Sequence, residues 1–495
     1  MSSSVVPFKN QRYAELKRDC IKRKRLFRDP QFPADDSSLF YKEPPPGEVE
    51  WKRPWISSDP HLFVEGVDSH DLNQGLIENC WFVAASSCLA LKPYLWQKVI
   101  PDWQEQEWDP IHPENYVGIF HFQFWVFGQW TDVVVNDRLP TINGQLIYSI
   151  AFFFFYLRLY GCYESLRGGD TGDAVADFTG AVFERTDLRK KALYKDQKKQ
   201  YYLFENLLKI YEDGGIISCG ISVCTFKKAN DLVKGHAYSV TAVKRICLGH
   251  EAAYFKNETI PMIQMRNPWG ITEWNGSWSD RHNLGLTVED DGEFWMSFGD
   301  WCGHFTKADI CHIFDNLLTT FKSNSDLNCL LNCLFQYLFD VTKITDEVLI
   351  NLQQEDQRIK KKNCVWKVEL NRNSEMQRTR KQTGKKSFSS HRSVFMRCNL
   401  PQGQYVVVPS TSDPGEQRKF MLRIFTNVDP GLDKYISLLF SSNTAFLFRW
   451  KCKIVHFLPR GIIHNSQTQK WGQHQSPPLP GLQTATKWLH FATKI

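Results

Sequence analysis

The chain has 495 residues, 42% hydrophobic and 23% charged, which is ordinary globular usage and excludes a disordered chain. At roughly 150 residues per domain it has room for about three domains. The net charge of +6 is local: residues 357–392 hold twelve Lys/Arg and two Asp/Glu, the remainder sums to −4, and no nucleic-acid partner is expected.

No run approaches the ~18 consecutive apolar residues of a membrane span. The strongest apolar stretch, Ile150 to Leu157, is far shorter. The start, MSSSVVPFKNQRY, lacks a basic segment followed by an apolar one, so no secretory leader is expected. Fourteen irregularly spaced cysteines without a CxxC pair argue against a disulfide framework or a zinc ribbon. The expected setting is cytoplasmic and reducing.

Tyr13, Leu16, Cys20 and Leu26 recur at helical spacing among basic residues, predicting a short amphipathic helix within 8–27. The Pro- and Asp-rich stretch from Asp29, with Pro44-Pro45-Pro46, reads as a connector, so 1–60 is a helix and linker. Residues 61–190 give a loop, a helix over Cys80–Leu91, then strands at Gly118–Phe127 and Thr131–Val135, an α+β order. Residues 191–315 give a helix near Tyr201–Tyr211, then strand signals in GIISCGISV, HAYSVTAVKRI and PMIQMRNPWG. Residues 335–428 carry strand-like runs at Glu347–Leu352, Ser393–Arg397, Gln404–Val408 and Lys419–Phe425, as in a β-sandwich, with the basic segment 357–392 as a long loop. Residues 429–495 show little periodicity and read as a disordered tail.

Three pieces carry chemistry. Cys80 opens the helix CWFVAASSCLAL, where the helix dipole and free N–H groups favour a thiolate. Gln74, six residues upstream, could aim its amide at the same space as the Cys80 N–H and supply a second oxyanion donor. His236 begins an alternating strand after Lys234-Gly235, and Asn267 stands in the turn Arg266-Asn267-Pro268-Trp269-Gly270. An asparagine there could hold the imidazole tautomer, with Trp269 keeping water off the bond. Each piece alone reads as structure: a buried small hydrophobe, a strand histidine, an Asn-Pro turn. Together they order Cys, His and Asn over two lobes, as a cleft cysteine protease needs.

The motifs QGLIENCWFVAA, LVKGHAY, RNPWG, DRLP, DFTG and DGEFWM resemble those of the calpains, papain-like cysteine proteases. LWQKVIPDWQEQEWDP and GIFHFQFWVFGQW are most similar to the atypical calpain-5 branch. The resemblance runs over about 7–428 and implies Cys80 as nucleophile, His236 as base, Asn267 as orienter and Gln74 as oxyanion donor. It implies a two-lobed papain-like core, lobes at 61–190 and 191–315, followed by an incomplete antiparallel β-sandwich (C2-like) domain over 335–428. It also implies Ca2+ at two sites. The first set is the Val64 and Gly66 carbonyls with Asp71; the second is Glu273, Asp280, Asp291 and Glu293 with the Glu289 carbonyl. Oxygen donors of this kind suit calcium. Protein substrates are the implied partners, and no EF-hand small-subunit partner is expected.

The sequence departs from the family pattern in four places. IAFFFFYLRLYGCY replaces the stretch that supplies a core helix and a first-site glutamate, so loss of that helix is expected. Glu78 stands where the family has glycine, and a carboxylate there disfavours the thiolate. The segment after Asp280 and the β-sandwich near 315–345 are shortened, and nothing after 429 matches a C2 or EF-hand module. Two functional readings stand at this point. One is a calcium-dependent endopeptidase making limited cuts in intracellular proteins; the other is a catalytically impaired interaction protein, from a splice variant or an imperfect gene model. The basic segment adds an electrostatic contact with acidic phospholipid as a further idea, against a solvated loop.

Overall fold

The computed structural model describes residues 5–40, 47–53, 79–143, 145–146, 153–162, 166, 168–189, 193–223, 230–247, 259–278, 292–313, 320–323, 337–355, 366–373, 381–385, 391–411 and 419–426. Gln74, Glu78, Val64, Gly66, Asp71, Asp280, Glu289, Asp291 and the segment 429–495 lie outside them. The described residues form two small and two six-stranded sheets with helices between, a mixed α and β architecture.

The chain opens with β1 (Val6–Pro7) and α1 (Tyr13–Lys22), then β2 (Glu50–Lys52). Cys20 is buried with Phe27, Val117, Ile119 and Val134, and Tyr13 and Leu16 pack against that cluster, as the helical spacing predicts. Next come α2 (Cys80–Ala90), α3 (Pro93–Val99), the hairpin β3 (Ile119–Val126) and β4 (Gln129–Asn136), and β5 (Leu139–Ile142) with β6 (Gln145–Leu146). Parallel pairing places β1 beside β4, and β5 lies between β2 and β6.

A helix does form in the divergent aromatic stretch: α4, Phe153–Tyr160, corrects the expected loss. Tyr156 and Tyr160, four residues apart and so on one helix face, both donate their hydroxyls to Asp177 Oδ2 at 2.7 Å. Tyr156 enters the core against Phe82, Phe124 and Phe178. Arg158 points elsewhere, buried against Asp29 and the Val134 carbonyl.

After α5 (Thr171–Thr179) and β7 (Val182–Asp187), the chain builds α6 (Gln197–Glu212), β8 (Ile216–Ile221), β9 (His236–Cys247), β10 (Thr259–Arg266), β11 (Glu293–Ser297), α7 (Phe298–His304) and β12 (Lys307–His312). Its sheet has the antiparallel order β11-β10-β9-β8-β12-β7. Strand alternation buries both faces. Ile216 and Ala237 pack with α2 and α5, whereas Ile217, Cys219, Tyr238 and Val240 pack with α6 and α7. α2 is buried on every side from Trp81 to Ala90 and largely apolar, as a helix enclosed by protein is.

The last sheet holds β13 (Thr320–Ser323), β14 (Tyr337–Gln354), β15 (Trp366–Asn373), β16 (Lys381–Lys385), β17 (Ser393–Thr411) and β18 (Phe420–Phe425), in the order β13-β18-β14-β17-β15-β16. Two expectations change here. The basic segment is not one long loop, because it contributes β15 and β16, paired antiparallel. The two runs expected at 393–397 and 404–408 are one strand, β17, which passes Gly403 opposite a register shift in β14. Leu349, Phe395 and Phe425 of this sheet close over Val182 of β7, joining it to the preceding sheet.

Candidate active site

Cys80 is the first residue of an eleven-residue helix, with the Asn79 carbonyl accepting from Phe82 and Val83 N–H. Its sulfur is reached by the backbone N–H groups of Ala237 and Trp81. Because Ala237 follows His236, this contact places the thiol at the start of β9. Burial pushes the thiol up from 9.0, against the pull of those N–H groups and of the Lys307 ammonium.

β9 begins at His236 because the chain turns sharply just before it. Gly235 takes φ +72°, a left-handed conformation that costs glycine nothing, and donates its N–H to Ile221 O at 2.7 Å. His236 Nε2 lies 2.8 Å from Asn267 Oδ1. The amide orientation is fixed independently: Asn267 Nδ2 donates to Ile271 O at 2.7 Å and to Thr272 O at 2.9 Å. Oδ1 must therefore accept, Nε2 carries the proton, and Nδ1 keeps its lone pair. His236 is 6% and Asn267 0% exposed, while Trp269, 41% exposed, covers the imidazole at a ring separation of 4.8 Å. That is the water-excluding position its place in the turn suggests.

The Asn267 turn is itself braced. Its N–H donates to Gly292 O at 2.8 Å, and Gly292 N–H donates to Glu273 Oε1 at 3.0 Å. A Cβ on Gly292, at φ +83°, would lie 2.8 Å from the Gly270 backbone, so this approach requires glycine. Glu293 follows on β11, in register with Arg266. Glu273 and Glu293 are thus the two described members of the second set that the resemblance implies for calcium, and both flank the residue that supports Asn267. Their carboxylates are hard donors of the right kind. Among the described residues no three metal-binding side chains cluster.

One neighbour was not visible in the motifs. Lys307 crosses Gly220, with its Cε 3.0 Å from where a Cβ would stand, and donates to Asp170 Oδ1 at 3.2 Å. Burial opposes ionisation of Asp170, but His391, Arg185 and Lys307 together hold it well below the usual carboxylate range. A glycine inside a strand marks such a close approach, and Gly220 was the available signal. Replacing Lys307 with methionine is expected to slow Cys80 alkylation at pH 7.5 about threefold, read on the Cys80 peptide by mass spectrometry.

Burial lowers His236 to about 4, with the Asn267 bond pulling the other way. Burial and Arg397 likewise lower His312 to about 4, and Arg397 Nη2 donates to His312 Nε2 at 2.8 Å. The unfolded chain takes up protons on both below about pH 6.5 while the fold does not. Their stabilisation is therefore complete above that pH and lost as pH falls from 6.5 through 4, by up to roughly 3 kcal/mol each. Urea midpoints between pH 7 and pH 4 are expected to fall steeply, and less so in His312→Asn.

Residues 27–312 match the calpain family cysteine protease profile, and residues 320–425 match domain III of the calpain large subunit. The chain is 44% identical over 491 residues to calpain-5 of Mus musculus, covering 86% of this chain and 77% of that protein. It is 32% identical to calpain-5 of Caenorhabditis elegans, over 92% and 81% of the two chains. To the calpain-1 catalytic subunit of Gallus gallus it is 34% identical, over 86% and 68%. The first profile spans more than half of the sequence and these relatives most of it, so the chain belongs to the calpain family of cysteine proteases.

Proposed function

We propose that the protein is a calcium-dependent endopeptidase that cuts intracellular proteins at exposed segments through Cys80, His236 and Asn267. The observation that carries this reading is the hydrogen-bond chain from the Asn267 amide to His236 Nε2, which leaves Nδ1 with its lone pair on the residue next to the Ala237 N–H that reaches the Cys80 sulfur. His236 withdraws the thiol proton, the thiolate attacks the scissile carbonyl, and the imidazolium then protonates the leaving amine. The Cys80 N–H, with the Gln74 amide, stabilises the oxyanion. Asn267 holds the tautomer throughout, and Trp269 keeps water from the His–Asn bond. An extended peptide is the natural substrate of a cleft between papain-like lobes.

In the second lobe Glu273 and Glu293, with Asp280, Asp291 and the Glu289 carbonyl, would hold calcium; Val64, Gly66 and Asp71 would hold it in the first. Bound there, the ion supplies positive charge that gathers the carboxylates around the loop supporting Asn267. Cleavage of an unfolded protein substrate by the full chain, with calcium or with a chelator, tests the reading. Cleavage that needs both calcium and Cys80 is expected, and loss only on chelation would reject the nucleophile assignment.

A second reading, a catalytically impaired member that holds partners, draws on the resting protonation. Burial raises the thiol and lowers the imidazole, which favours a neutral pair over an ion pair. A folded chain without turnover in the same assay would select it.

A further inference from the structure

The geometry points to Arg392 of the domain III region as a positioning residue for Cys80, acting through α5. The inference rests on the reading of Cys80 as the nucleophile. Arg392 stands just before β17, 215 residues from its partner, and reaches into the protease region. Its Nη2 donates to Asp177 Oδ1 at 2.6 Å and its Nη1 to Asp177 Oδ2 at 2.9 Å. This planar fork matches a carboxylate as no lysine can. Asp177 Oδ2 also receives the Tyr156 and Tyr160 hydroxyls, so one buried carboxylate ties α4, α5 and the last sheet together.

The contact is one of several along the same helix. At its N-cap, Asp170 Oδ2 lies 3.5 Å from His391 Nδ1, and Asp170 also accepts from Arg185 and Lys307. At its C-cap and the residue after it, the fully buried Arg423 donates to Gly180 O at 2.5 Å and Ala181 O at 3.1 Å. His391, Arg392 and Arg423 of the domain III region therefore hold α5 from end to end. α5 also packs against the nucleophile helix: Phe178, next to Asp177, meets Phe82 edge-on at 5.3 Å, two residues from Cys80. Packed interiors transmit such displacements, because facing side chains have no slack in which to absorb them. A shift of α5 moves the start of α2 relative to the Ala237 N–H and His236, and about 1 Å of misplacement at reacting groups costs on the order of 100-fold in rate.

The test uses the full chain carrying Arg392→Met, Arg392→Lys or the pair Arg392→Met with Asp177→Asn. The last variant removes both charges, so it avoids stranding a buried carboxylate and keeps the experiment open if the first fails to fold. Two readouts are taken: kcat and KM for a fluorogenic peptide, and the rate of Cys80 alkylation by iodoacetamide from pH 5 to 10. Arg392→Met is expected to lower kcat about 10- to 100-fold with KM within twofold, and to shift the alkylation profile. Arg392→Lys should recover part of both. The double variant should regain its urea midpoint without regaining kcat. Variants that lose stability yet keep the native kcat and alkylation profile would overturn the inference. If the native chain does not cleave, the endopeptidase reading fails, and the alkylation profile alone decides whether Arg392 positions Cys80.

Discussion

Replacing His236 with alanine is expected to lower kcat for peptide hydrolysis by about 10³- to 10⁴-fold, with KM little changed. The magnitude follows from the state of the thiol. Burial holds Cys80 above its usual range, so at neutral pH the sulfur is protonated until a base removes the proton. In the proposed mechanism His236 is that base, because Asn267 commits Nε2 as the donor and leaves Nδ1 with its lone pair. Asn267→Ala should cost about 100-fold: the imidazole remains but is free to turn and to adopt the other tautomer. It also strips the amide donor from the Ile271 and Thr272 carbonyls, so its thermal midpoint should drop, while that of His236→Ala holds more closely. Steady-state kinetics with parallel melts on the same samples separate the two effects.

The largest expected loss of stability lies away from the cleft. Arg158 and Asp29 form an ion pair at 3.0 Å with both side chains fully buried. Asp29 Oδ1 accepts from Gln11 Nε2 at 3.0 Å and Gln31 N at 2.9 Å, while Arg158 Nε donates to Val134 O at 2.9 Å. The pair thus pins the N-terminal segment to α4 and β4. Asp29→Ala leaves a guanidinium without its counter-charge and should cost roughly 3–5 kcal/mol. For a domain of this size that lowers the melting midpoint by roughly 6–20 °C. Asp29→Ala combined with Arg158→Met removes both charges and should recover much of the loss. Calorimetry of the three proteins distinguishes a stranded charge from general loosening, since only the first predicts recovery in the double variant.

Local pattern and local chemistry read well from the residues. The helix that begins at Cys80 and the strand that begins at His236 both lie where the apolar spacing and the Gly235 turn place them. The His236–Asn267 bond follows from what an asparagine beside an imidazole is able to do. Two readings failed because one signal masked another. The phenylalanine run hid the helical pair Tyr156 and Tyr160, whose hydroxyls converge on Asp177. In the basic segment, net charge outweighed the period-two pattern of Trp366, Val368 and Leu370, which marks β15. The ties of Arg392 to Asp177 and of Lys307 to Asp170 had no local signature. Each joins side chains more than 130 residues apart in sequence, and only the packing of sheet on helix brings them together.

Covalent trapping asks whether Cys80 is a nucleophile activated by His236. The full chain, in calcium, is treated with one equivalent of a peptidyl fluoromethyl ketone and digested, and each cysteine-containing peptide is weighed. Among the described cysteines, Cys20, Cys88, Cys162, Cys219, Cys302 and Cys311 are buried and Cys398 is half-buried, and weighing every cysteine-containing peptide follows the others as well. A single label on Cys80 is expected, its rate reduced at least about 100-fold in His236→Ala. Labelling of Cys80 at the same rate in both proteins, or labelling of another cysteine first, would rule out activation of Cys80 by His236.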